Sequence, residues 1–91
     1  MSNDQVVERF RDEITALDVR LVSTINARID AVKALAEYKA EHAIAFVDPE
    51  REAALVAHLK AVNGGPLSDG GLEELIAFVL ALVKDEVKAG G

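Results

Sequence analysis

Two cations interrupt an apolar seam. Phe10, Ile14, Leu17 and Leu21 step by 4, 3 and 4, and Ile25, Ile29, Val32 and Leu35 continue the same side of a helix. Seven residues after Leu21, where the heptad asks for leucine, stands Arg28, and eleven residues after that stands Lys39. Eleven residues make three turns, so Lys39 lies about 20° round the axis from Arg28 and about 16 Å along it. Two long cationic side chains so placed can converge on a small anion between them. Taken alone, the pattern is met more simply by snorkelling, with the stems on apolar surface and the heads in water.

A second concentration of charge follows in "FVDPEREAAL", where five of the six residues from Asp48 to Ala53 are charged or proline. Asp48 and Glu52 are four apart and share a helix face, with Arg51 beside them. Locally this reads as capping: Asp48 is an N-cap, Pro49 suits the first helical position, and Glu50 and Glu52 complement the helix dipole. Capping does not explain why the cations of the preceding helix point toward the same end of the molecule. Arg11 is a third candidate cation. It lies about 25 Å from Arg28 along the axis and about 100° round it, so it cannot reach the same small ligand within one chain. From an antiparallel second copy it could; by itself it reads as a surface residue.

Other chemistries lack their residues. Cysteine is absent, and the two histidines, His42 and His58, are not paired as metal ligands, so neither a metal nor a cofactor is expected. His42 suits the helix C-terminus and His58 an exposed helix face. No serine–histidine arrangement and no glycine-rich phosphate loop occurs. A net charge of −6 disfavours nucleic acid or an anionic membrane as partner. The longest apolar run, "LIAFVLALV", is nine residues, against about 20 for a membrane span. The polar, acidic start "MSNDQVVERF" does not resemble a secretory leader, and a cytoplasmic protein is expected.

The elements that must carry these residues are three helices in a single all-α domain over residues 1–91. Hydrophobic residues make up 51% of the chain but aromatics only 4%, and the alanine, leucine and valine that remain favour helix. The first helix spans about residues 5 to 41 without glycine or proline and is over 50 Å long at about 1.5 Å per residue. One chain of 91 residues cannot cover such a rod, so a partner chain is expected on its apolar stripe. The second helix runs from Pro49 to about Val62 and ends at "NGGP". The third is capped by Ser68, with Leu67 and Leu72 spaced for a hydrophobic staple, and ends near Lys88.

In order, "RDEITALDVRLV", "NARIDAVKALAEYKAEHAIAFVDPERE" and "NGGPLS" resemble the all-helical chorismate mutases over about residues 8 to 83. The resemblance implies an intertwined homodimer of three-helix chains in which the long helices pair and each site borrows an arginine from the other copy. It implies a pericyclic rearrangement of chorismate to prephenate, on the route to phenylalanine and tyrosine. Catalysis would come from holding a reactive conformer and from placed charges. In this likeness Arg28, with Arg11 of the other copy, would clamp carboxylates. Lys39 would face the ether oxygen, Asp48 and Glu52 would orient the ring hydroxyl, and Arg51 would complete the polar wall. The family's last helix usually offers a small polar residue and, four later, a glutamine or glutamate to that oxygen. Here Val83 and Val87 stand there, with Glu86 and Lys84 each about 60° away round the helix. That departure points to a slow mutase or one that a partner enzyme activates. It also keeps open a non-catalytic, metabolite-binding regulatory dimer. The related isochorismate-pyruvate lyases tend to lack the acids that Asp48 and Glu52 supply.

Overall fold

The computed structural model describes residues 3–90, which form three helices: α1, Asn3–Glu41; α2, Pro49–Val62; and α3, Asp69–Gly90. α1 accounts for the 62 Å length of the molecule, against 29 and 16 Å in the other directions. α3 packs against both other helices, while α1 and α2 do not pack on each other among the described residues. α1 and α2 therefore stand either side of α3, and a gap between them is floored by it.

The core is small and belongs to α3. Val79, Val83 and Val87, at i, i+4 and i+8, form one buried stripe, against which Ile25, Ile29, Val32, Ala36 and Phe46 pack. Val83, 1% exposed, is the one residue under 2% among the described residues. Only the C-terminal half of α1 supplies this contact. Toward its N-terminus the seam continues uncovered: Phe10, Ile14, Leu17 and Leu21 are 57, 57, 58 and 56% exposed. Polar ties hold the helix ends: Lys33 Nζ donates to the Gly90 carbonyl at 3.4 Å, and Lys60 pairs with Glu73 between α2 and α3. The hydrogen bond to Glu73 holds the Lys60 ammonium above its ordinary range.

The helix ends follow from local chemistry. Ser68 caps α3, its Oγ accepting from Gly71 N–H at 3.0 Å and its carbonyl from Leu72 N–H at 2.8 Å. A Cβ on Gly71 would come within 3.1 Å of both Leu67 Cδ1 and Ser68 Oγ, so the glycine that weakens this helix start on propensity is the residue that lets the turn close. α1 ends in a Schellman motif: Ile44 N–H donates to the Lys39 carbonyl at 2.8 Å and Ala43 N–H to the Ala40 carbonyl at 3.5 Å. His42 stacks on Tyr38, with ring centroids 4.0 Å apart, and its Nδ1 lies 2.8 Å from the Tyr38 carbonyl. Ala43 occupies the left-handed position of the motif, φ 55°, where glycine is usual.

A left-handed alanine costs roughly 1–2 kcal/mol, partly offset by the extra freedom glycine has when unfolded. Ala43→Gly is expected to raise stability by roughly 0.5–1 kcal/mol in urea denaturation, with no loss of helix by circular dichroism.

Candidate active site

The gap between α1 and α2 is a cavity of about 310 Å³. Arg28, Val32, Leu35 and Lys39 line it from α1, Asp48, Arg51, Glu52 and Leu55 from the α2 side, and Leu80, Val83 and Lys84 from the α3 floor. The two seam cations, Arg28 and Lys39, and the crowded turn that begins 20 and 9 residues after them at Asp48 thus face one space. The turn back from α1 brings this about. The Schellman motif reverses the chain at Lys39, Phe46 returns to the core stripe, and Lys39 Nζ donates to the Phe46 carbonyl at 3.4 Å. Lys39 is thereby held part-buried at the cavity instead of extended into water.

Capping and cavity lining are compatible at the turn. Asp48 Oδ1 accepts from Arg51 N–H at 3.1 Å while the Asp48 carbonyl accepts from Glu52 N–H at 3.1 Å. The cap fixes the Asp48 carboxylate at the cavity edge and sets Glu52 one turn further on the same face. Glu52 Oε1 meets Lys84 Nζ of α3 at 2.5 Å, an ion pair that spans the cavity floor. Four basic and two acidic side chains line the space, a formal balance of +2 in a chain of net −6. The remaining walls are apolar.

The residues expected from sequence divide three ways. Arg28, Lys39, Asp48, Arg51, Glu52 and Val83 meet at the cavity. Val87 is buried in the core stripe beside Val83 and does not line the cavity, and Glu86 is exposed away from it. Arg11 is not brought to this cavity; it pairs with Glu8 at 3.2 Å on the exposed N-terminal half of α1. Phe46 and Leu80, unmarked in the sequence, are walls. Among the described residues no three His, Asp or Glu side chains gather as metal ligands would, and no helix is long and apolar enough to cross a membrane.

The family model for chorismate mutase type II matches residues 10–87, most of the chain. The chain belongs to the chorismate mutase type II family. It is therefore an isomerase of the all-helical kind, and the cavity lies within the matched span. It is 32% identical over 74 residues to the 4-amino-4-deoxychorismate mutase of Streptomyces venezuelae, covering 81% of this chain and 68% of that protein. Two structures of chorismate mutase from Thermus thermophilus share the fold at 22% identity. One, form II, gives a TM-score of 0.85 over 90% of this chain and 93% of that one. The other, form I, gives 0.82 over 85% and 96%.

Val83 both floors the cavity and anchors the core of this chorismate mutase domain. Val83→Ala removes two methyl groups from the most buried side chain of the core. It is expected to lower stability by roughly 1.5–3 kcal/mol, read as a lower urea midpoint at unchanged slope.

Proposed function

We propose that the chain converts chorismate to prephenate in a site completed by a second copy of itself. The observation that carries this is the convergence of Arg28, Lys39 and Arg51 with two acids on a largely apolar cavity. A positive balance suits a dianion. In the rearrangement the ether carbon–oxygen bond breaks as a carbon–carbon bond forms, within one molecule and without proton transfer. The protein then needs no nucleophile, only to hold the reacting ends together and to stabilise charge growing on the ether oxygen. Arg28 binds a carboxylate through a bidentate contact. Lys39, held by the Phe46 carbonyl, donates to the ether oxygen. Asp48 and Glu52 accept from the ring hydroxyl, and Arg51 closes the polar wall. α3 offers valine where its relatives offer a polar residue, so Lys39 serves the oxygen without a second donor from Val83 or Val87. One such donor is worth about 2.7–4 kcal/mol, so the uncatalysed barrier is lowered less than in a site that has both.

The second copy supplies Arg11. The exposed stripe from Phe10 to Leu21 is the surface on which two α1 helices would pair antiparallel. Pairing there would bring the Arg11 end of one rod toward the cavity end of the other.

Three results are expected. Lys39→Ala lowers kcat/KM for chorismate at least about a hundredfold, as loss of a preorganised donor does. Arg28→Ala lowers it at least about tenfold, as loss of a charge-assisted contact does. Both are read by loss of substrate absorbance, with the fold checked by circular dichroism. Arg11→Ala and Arg28→Ala, each impaired at least about tenfold alone, recover about a quarter of wild-type activity when co-refolded. About half of randomly paired dimers are mixed, and each mixed dimer has one intact site of two. Recovery no greater than the mean of the separate variants, with exchange verified, would show that Arg11 does not act across the dimer.

A further inference from the structure

Lys84 is the one charged side chain that α3 contributes to the cavity among the described residues. It is neither a wall nor a solvated surface lysine. Its Nζ lies 2.5 Å from Glu52 Oε1, and the two side chains are 29 and 32% exposed, against 70 and 64% for the surface pair Arg11–Glu8. The pair is also a partition. Glu52, Leu80 and Lys84 line both the 310 Å³ cavity and a second, more open groove of about 570 Å³ between α2 and α3. Glu52 therefore faces the cavity already joined to a cation across its floor.

We infer that Lys84 determines which ring substituent the site accepts, admitting a hydroxyl and disfavouring an ammonium at the place Glu52 faces. This rests on the proposed mutase reading of the same site. The two substrates named among the relatives differ there by one group, since 4-amino-4-deoxychorismate carries an amine where chorismate carries a hydroxyl. An alkyl amine is largely protonated at neutral pH. A hydroxyl needs only an acceptor lone pair, and a carboxylate in an ion pair still has lone pairs free. An ammonium needs carboxylate charge, and Lys84 already balances that of Glu52, leaving Asp48 alone to meet it. It would also add a cation beside Lys84 and Arg51, where like charges repel in a partly apolar space. Total charge points the same way. The lining balance, +2 in one chain and +3 with Arg11 of a second copy, favours a substrate carrying two carboxylates and no cation over one whose ammonium cancels a carboxylate. Lys84 acts through Glu52 and through the field at the site, and is thus a positioning residue.

The test compares kcat/KM for chorismate and for 4-amino-4-deoxychorismate in the wild-type protein, Lys84→Met and Lys84→Arg. The wild type is expected to favour chorismate. Lys84→Met is expected to move the ratio at least about tenfold toward the amino substrate, and Lys84→Arg to keep the wild-type order. A merely structural loss would lower both substrates in parallel and leave the ratio in place. A ratio in Lys84→Met within about twofold of wild type would overturn the inference and leave the mutase reading standing. Wild-type preference for the amino substrate would overturn both. Should Lys84→Met not fold, Lys84→Gln carries the same expectation. If the wild type turns over neither substrate, the mutase reading is what fails. The calorimetric binding preference for the same two compounds, in wild type and variant, then decides the inference by the same ratio.

Discussion

A helix of 39 residues in a chain of 91 cannot bury its own apolar face. α3 covers the half of α1 that carries Ile25, Ile29 and Val32 and leaves the half that carries Phe10, Ile14, Leu17 and Leu21 in the open. Burial of apolar surface is the main favourable term in folding, and an exposed stripe of that length marks an interaction surface. The fold and the site share this constraint. The rod is long enough that one end forms a cavity wall and the other end lies about 25 Å away, out of reach of a small ligand in that cavity.

The site exists because α1 and α2 do not touch. Each packs on α3 alone, and the charged residues collect in the space between them. Lys39 is drawn in by the Schellman turn and the Phe46 carbonyl, Asp48 by its duty as a cap, and Glu52 by Lys84. These three charges are thereby held by interactions within the chain itself. Such preorganisation is what catalysis by placed charge depends on, because little reorganisation is then needed as the reaction proceeds.

Much of this is legible in the sequence, and the reasons can be named residue by residue. A cation at Arg28 in place of leucine and another at Lys39 break a strong helical period, which is the clearest signal a helical sequence carries. Asp48 and Pro49 mark the α2 start through cap chemistry. The ends of α1 and α3 are less legible, since both run further than the periodic apolar residues do, to Asn3 and Gly90. Gly71 weakens the helix start on propensity, whereas a side chain there would crowd Leu67 and Ser68. On α3, Val83, Lys84, Glu86 and Val87 are separable only by helix rotation. A 60° difference in phase sends Glu86 to solvent, Val87 to the core and Lys84 to Glu52, and tertiary packing alone sets that phase. The role proposed for Arg11 is not written in any local pattern; it rests on the length of the rod and a family resemblance.

The central claim is that the working site is shared between two copies. It is tested most directly by measuring chorismate turnover per chain over a dilution series, with the dimer fraction determined by sedimentation in the same buffer. Turnover per chain is expected to fall in proportion to the dimer fraction and to vanish for the monomer. A monomer as active per chain as the dimer would contradict it.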